Sequence, residues 1–106
     1  MTGTIQSLMA ELKDGLAVLY GTRLKGVYLY GSYARHEAHH ESDVDVLIVL
    51  DEIPTYAAEI ERTGELISSL SLQHGVSVSR VFVPEVDWVN RETPFLANVR
   101  EEAVRA

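Results

Sequence analysis

The feature that most constrains the fold is the segment DVDVLIVL at residues 43–50, an apolar run that begins with two aspartates. The run is too short for a typical helix, and its β-branched residues favour an extended strand. Its last five residues are all apolar, so neither side of the strand has a polar face. We therefore predict a central strand covered on both faces, in a sheet flanked by helices.

Patterns on either side of this strand predict the remaining elements. Apolar spacing of three and four residues predicts helices over residues 4–20, 55–73 and 95–104, and alternating segments predict strands over 25–30 and 76–83. A short helix without a clear apolar stripe is expected over 32–41, and a short turn of helix over 85–90. Gly21 and Gly75 are predicted to end the two long helices. The expected order is α-β-α-β-α-β-α, an α/β (α+β) fold with a small mixed sheet, in a single domain spanning residues 1–106.

Composition excludes several classes of function. The chain has 106 residues, no cysteine, and 16 acidic against 9 basic side chains, for a net charge of -7. This charge has the wrong sign for gripping a nucleic acid backbone, although a small phosphate ligand held by a metal and backbone N–H groups stays possible. No segment approaches the roughly 20 apolar residues that span a bilayer. We expect a soluble, cytoplasmic protein that binds neither nucleic acid nor membrane.

The two aspartates need a partner. Residues two apart in a strand point to the same face, so Asp43 and Asp45 would be neighbours that repel each other when ionised. Either they lie at the solvent-exposed edge of the sheet or a cation lies between them. Magnesium suits such oxygen ligands, because it takes one or two carboxylates and completes its coordination with water and phosphate oxygens. The pair is therefore a candidate metal site.

A candidate phosphate site precedes the aspartates. Gly31 and Ser32 follow the first predicted strand, where glycine lets the backbone approach a ligand closely and the serine hydroxyl can donate a hydrogen bond. Arg35 is a candidate either for contacting a phosphate oxygen or for pairing with an acidic neighbour. With only about a dozen residues between the two strands, the phosphate site and the aspartate pair can face each other.

These residues resemble a known signature. The run GSYAR followed by SDVDVLIVL is similar to the motif of nucleotidyltransferases with the polymerase-β-type core, and the size and element order resemble the minimal nucleotidyltransferase (MNT) domain. Members of this class are often paired with a HEPN-domain protein in toxin–antitoxin systems. The resemblance implies that Gly31 and Ser32 hold nucleotide phosphates and that Asp43 and Asp45 bind Mg²⁺. It further implies transfer of a nucleoside monophosphate, AMP from ATP, to a hydroxyl of the toxin.

Two positions depart from the family pattern. The family usually carries a third carboxylate on the next strand, whereas residues 76–83 contain no acid, and His36 stands where glycine is frequent after the arginine. The third acid could be dispensable, could come from a partner or another segment, or its loss could mark slow turnover. Three functions follow: a nucleotidyltransferase that modifies a toxin, which we favour, a catalytically degenerate antitoxin that acts by occlusion, and a nucleotidyltransferase acting on small molecules.

Several other residues could be mistaken for site residues. His36, His39 and His40 lie in a polar connection where solvation is the simplest expectation, and His74 suits a helix C-terminus. Arg80 lies between apolar strand residues and could pair with an aspartate of the candidate site or reach solvent. Three apolar side chains near the C-terminus could either pack the last helix or anchor a partner: Trp88, Phe95 and Leu96.

Overall fold

The computed structural model describes residues 3–39 and 41–106. The helices are α1 (Gly3–Tyr20), α2 (Tyr56–His74), α3 (Glu85–Asn90) and α4 (Pro94–Glu102), with one turn of 3₁₀ helix at Gly21–Arg23. The strands are β1 (Leu24–Tyr30), β2 (Val44–Leu50), β3 (Val78–Pro84) and β4 (Val104–Arg105). Within these described residues, no helix is both long enough and apolar enough to cross a bilayer.

The four strands form one mixed sheet in the order β3-β2-β1-β4. The long strands β1 and β2 are antiparallel neighbours, and β3 runs parallel to β2. The connection from β2 to β3 is made by α2, as a parallel crossover requires. The prediction of a small mixed sheet flanked by helices is confirmed.

Strand β2 is the centre of two cores. One set of its side chains, Val44, Val46, Ile48 and Leu50, packs in the cluster that contains buried leucines of α1 and Ile67 and Leu70 of α2. The alternate side chains Leu47 and Val49 pack on the opposite face with Leu96 and Val99 of α4. All of β2 is buried except the half-buried Asp45, which confirms the prediction of a strand covered on both faces.

A buried carboxylate joins α2 to the end of α1. Glu59 is only 3% exposed, and its Oε1 atom accepts hydrogen bonds from the Tyr20 hydroxyl at 2.7 Å and from Arg62 Nε at 3.0 Å. Burial raises the pKa of Glu59, but the hydrogen bonds from Tyr20 and Arg62 outweigh it, so the pKa lies below its ordinary value. The charge is thus held ionised by its donors, as a buried ion requires.

The helix predicted over residues 32–41 is wrong. Residues 32–36 form turns, in which the Arg35 amide donates to the Gly31 carbonyl and the Glu37 amide donates to the Ser32 carbonyl. A right-handed helix cannot continue, because His36 has a φ of 59°, in the left-handed region. The expectation for His40 lies outside the described residues.

The C-terminal helix is shorter than predicted. Helix α4 ends at Glu102, and Ala103 takes an extended conformation with a ψ of 142°. Val104 and Arg105 then pair with Leu29 and Tyr28 as the short strand β4, which the sequence pattern did not predict. The Ala106 amide also donates to the Val27 carbonyl, so the chain after α4 lies along the free edge of β1.

Candidate nucleotide site

The predicted site residues lie at one end of the two inner strands, the site edge of the sheet. Since β1 and β2 are antiparallel, the end of β1 and the beginning of β2 meet there, and Tyr30 is paired with Asp45. Gly31 follows Tyr30 directly, and Asp43 immediately precedes β2. The loop that joins the strands therefore starts and finishes beside the two carboxylates.

Gly31 is in direct contact with Asp45. Its φ is 75°, a left-handed conformation that glycine adopts without strain. A Cβ atom built at this position would lie 2.2 Å from Oδ2 of Asp45, which is far inside the van der Waals distance. Glycine is thus required twice, for the turn of the backbone and for the space taken by the carboxylate.

An open pocket of about 360 Å³ adjoins this contact. Its lining combines polar groups from the β1–β2 loop with side chains of α4: Tyr30, Gly31, Ser32, Arg35, Asp45, Phe95, Asn98, Val99 and Glu102. Four predicted site residues therefore share one pocket. Asp43, the fifth, is exposed and is not part of the lining.

Glu102 is a site residue that sequence reasoning missed. Its Oε2 atom accepts a hydrogen bond from the Gly31 amide at 2.5 Å and one from Arg35 Nη1 at 3.0 Å. No local pattern marks it, since it lies 71 residues from Gly31 at the end of an ordinary amphipathic helix. The pairing of Arg35 with an acidic neighbour, one of its two predicted roles, is present in the structure.

The electrostatics of the pocket are dominated by carboxylates. Burial raises the pKa of Asp45 above its ordinary value, the charge of Asp43 raises it further, Arg35 opposes these effects, and Glu102 adds to them. Burial, followed by the charge of Asp45, raises the pKa of Tyr30 to about 12. A positive charge near Asp45 would relieve this repulsion.

The donor set fits a magnesium ion. Asp43 and Asp45 are hard oxygen ligands at the site edge of the sheet, and Mg²⁺ needs only one or two protein carboxylates when phosphate and water supply the rest. Among residues 3–39 and 41–106, no group of three or more His, Asp or Glu side chains is arranged to hold a metal. An ion held by these two aspartates would take its remaining ligands from water and substrate phosphates.

Strand β3 brings no acid to the site. The residue paired with Asp45 in the parallel register is Ser79, which is exposed. Arg80 points to the other face, where its Nε donates to Thr63 Oγ1 and its Nη2 donates to the Ile60 carbonyl, both at 2.7 Å. Neither predicted alternative for Arg80 is therefore correct, because its guanidinium contacts α2 rather than an aspartate or open solvent.

The described histidines lie outside the pocket lining. His36 and His39 are exposed, and His74, near the end of α2, contacts the Glu11 carboxylate of α1. Hence His74 joins the two long helices.

The three C-terminal apolar residues differ in their surroundings. Leu96 is buried in the core, and Trp88 is half-buried against Tyr28, with ring centroids 4.8 Å apart. Phe95 remains 44% exposed at the pocket, edge-on to Tyr30. Packing therefore accounts for Leu96 and Trp88, while Phe95 adds an aromatic wall to the pocket.

Comparisons with known proteins identify the family. The chain is 35% identical to a candidate protein adenylyltransferase of Methanocaldococcus jannaschii over 77 residues, covering 73% of this chain and 77% of the relative. It is 39% identical to the protein adenylyltransferase MntA of Thermococcus cleftensis over 69 residues, covering 65% and 68% of the two chains.

Solved structures share the fold. A toxin–antitoxin complex with AMP-PNP contains a chain with a TM-score of 0.63 and 21% identity, covering 89% of this chain and 68% of that one. A chain from a complex of a tri-AMPylated HEPN toxin with an MNT antitoxin, from Shewanella oneidensis, has a TM-score of 0.52 and 16% identity, with 92% and 70% covered. The sequence model of the nucleotidyltransferase domain family matches residues 9–104 of this chain. Because this match spans nearly all of the chain and includes every residue that lines the pocket, the chain belongs to the nucleotidyltransferase domain family.

Proposed function

We propose that this nucleotidyltransferase is a Mg²⁺-dependent protein adenylyltransferase that moves AMP from ATP onto a hydroxyl of a HEPN-type toxin and thereby acts as its antitoxin. The observation that carries the proposal is the meeting of Gly31, Ser32 and Arg35 with Asp45 in one pocket. Hydrogen-bond donors for phosphate oxygens thus lie beside a carboxylate suited to a phosphate-bound cation.

Each residue has a role in this mechanism. The Gly31 amide, the Ser32 hydroxyl and the Arg35 guanidinium would bind phosphate oxygens and orient the triphosphate. Asp43 and Asp45 would hold the magnesium ion, whose bound form supplies charge neutralisation on the phosphates. No nucleophile from this chain is needed, because the attacking oxygen comes from the partner.

The transfer itself is a substitution at the α-phosphorus. The acceptor hydroxyl oxygen forms a bond to the α-phosphorus, and the bond from that phosphorus to the oxygen bridging the α- and β-phosphates breaks. Pyrophosphate leaves with the bonding electrons, and the hydroxyl proton passes to water. The pocket is open to solvent. A hydroxyl on the surface of a partner protein can therefore reach the α-phosphate from outside the domain.

The relatives support the choice of reaction and partner. Two sequence relatives are named as protein adenylyltransferases or candidates for that activity. Chains that share the fold occur in a toxin–antitoxin complex with AMP-PNP and in a complex with an AMPylated HEPN toxin. Transfer of AMP to a toxin is therefore the activity that best fits both the pocket and the family.

Labelled ATP tests the proposal directly. The protein is incubated with Mg²⁺, the HEPN-type protein encoded beside it and ATP labelled at either the α- or the γ-phosphate. Label should reach the toxin only from the α-position, and Asp43→Ala or Asp45→Ala should reduce transfer at least about 100-fold, as loss of a group that stabilises transferred charge does. Glu61→Ala removes an exposed carboxylate of α2 and should leave transfer unchanged. Transfer from the γ-position, or equal transfer by the aspartate variants, would contradict the proposal.

One observation favours a second candidate, an antitoxin that neutralises its partner by occlusion without chemistry. Strand β3 lacks the acid that the resemblance leads one to expect, and exposed Ser79 occupies the position beside Asp45. In that case the toxin would be inhibited without receiving label, and the aspartate variants would inhibit it as well as the unchanged protein. The same incubation therefore separates the two functions.

A further inference from the structure

The carboxylate of Glu102 occupies the donors of the candidate phosphate site. Its Oε2 atom accepts from both the Gly31 amide and Arg35 Nη1. These are two of the three groups that would bind phosphate oxygens, and a carboxylate oxygen is a reasonable stand-in for one of them because both are anionic acceptors. The Gly31 amide has a single N–H, so it cannot donate to a nucleotide phosphate and to Glu102 at the same time.

The resting arrangement brings Glu102 close to other negative charges. Asp43 and Asp45 lie at the site edge of the sheet, and the charge of Glu102 acts on Asp45. Such crowding is unfavourable unless a strong local contact offsets it. The paired contact with Gly31 and Arg35 is that offset, and it would be lost whenever a phosphate displaces the carboxylate.

The backbone of Glu102 is fixed, whereas its side chain can move. Helix α4 is anchored by Leu96 and Val99 in the core, and β4 follows on the free edge of β1. The Glu102 side chain is 21% exposed, and three single bonds separate its Cα from its carboxyl carbon. Release of the phosphate donors therefore requires a rotamer change of Glu102 and no unfolding of α4.

We propose that Glu102 is a built-in competitor of the nucleotide, which closes the phosphate site through Gly31 and Arg35 until a triphosphate displaces it. This inference rests on the proposed function, since it assumes that the pocket binds a nucleotide. It differs from a role as the missing third carboxylate. A carboxylate needed for the reaction would lower turnover when removed, whereas a competitor would weaken nucleotide binding only while present.

Calorimetric titration with Mg²⁺ and AMP-PNP tests the competition. If the open site is about a tenth populated at rest, removing the competitor in Glu102→Ala should lower the dissociation constant about tenfold. The matched control is Glu101→Ala, which removes the same charge from the neighbouring exposed residue and measures general electrostatic attraction. Glu102→Gln keeps the size of the side chain and should give an intermediate value. It also serves as the second variant should Glu102→Ala lower the melting temperature.

The Gly31 amide gives a readout that does not depend on the nucleotide. Its proton resonance should move upfield in Glu102→Ala, as a hydrogen bond to a carboxylate is lost, and should stay in place in Glu101→Ala. If AMP-PNP binds to Glu102→Ala, but no more tightly than to Glu101→Ala, the proposed competition is wrong while the proposed function stands. If none of the proteins binds AMP-PNP, the proposed function itself is wrong.

Discussion

Substituting Gly31 by alanine should destabilise the fold through two separable effects. An L-residue in the left-handed conformation costs about 1–2 kcal/mol, and the φ of Gly31 is 75°. The added Cβ would lie 2.2 Å from Oδ2 of Asp45, and such overpacking costs about 1–3 kcal/mol. We expect Gly31→Ala to lower the free energy of unfolding by about 2–5 kcal/mol in total, as the sum of these two ranges.

Gly75 offers a matched control for the backbone effect. Its φ is 65°, but an added Cβ would meet nothing within 4 Å. Gly75→Ala should therefore cost only the conformational part, about 1–2 kcal/mol. Urea denaturation followed by circular dichroism measures both variants, and each 1 kcal/mol corresponds to a melting temperature shift of roughly 4–8 °C in a domain of this size.

A double variant isolates the collision. Adding Asp45→Ala to Gly31→Ala removes the carboxylate that the new methyl group would strike, so the double variant should be more stable than the sum of the two single changes in unfolding free energy predicts. The same pair of substitutions should abolish label transfer. The reasoning is refuted if Gly31→Ala costs no more than Gly75→Ala, or if the two substitutions are additive.

Three further predictions concern Asp45 of the pocket and two polar contacts elsewhere in the domain. Because the folded-state pKa of Asp45 is raised, mainly by burial, the ionised group opposes folding, so Asp45→Asn should raise the melting temperature at pH 7 while abolishing transfer. This gain should shrink as the pH falls through the raised pKa towards 3.8, and a melting series across pH would contradict us if it grew instead. Tyr20→Phe removes the hydroxyl donor from buried Glu59 and should cost about 1.5–3 kcal/mol in urea denaturation; a loss below about 0.5 kcal/mol would mean that the charge is satisfied without it. Arg80→Met removes two hydrogen bonds, including the one to Thr63, and should cost about 1–3 kcal/mol while leaving the dissociation constant of AMP-PNP unchanged; a changed affinity would assign Arg80 to the site after all.

Local patterns in the sequence were sufficient for the elements that carry the site. The apolar run of β2 required cover on both faces, and Gly31 and Asp45 lie close enough in the chain that an antiparallel pair of strands brings them together. Gly75 ends α2, as predicted, and the structure shows that it does so in a left-handed conformation. These features depend on periodicity and on the properties of single residues, which the sequence displays directly.

Other features were decided only by tertiary packing. Glu102 reaches Gly31 from 71 residues away, because α4 lies across the face of β2 that carries Asp45, and no periodicity records which helix end faces which loop. Arg80 likewise donates to Thr63 and Ile60 of α2, because β3 packs against that helix. Turns replace the predicted helix at residues 32–36, with His36 at a positive φ, because the chain must reverse direction there for β2 to pair antiparallel with β1. The sequence by itself thus determined the three long strands and the candidate phosphate and metal ligands, whereas β4 and the contacts between distant segments were determined by how the layers pack.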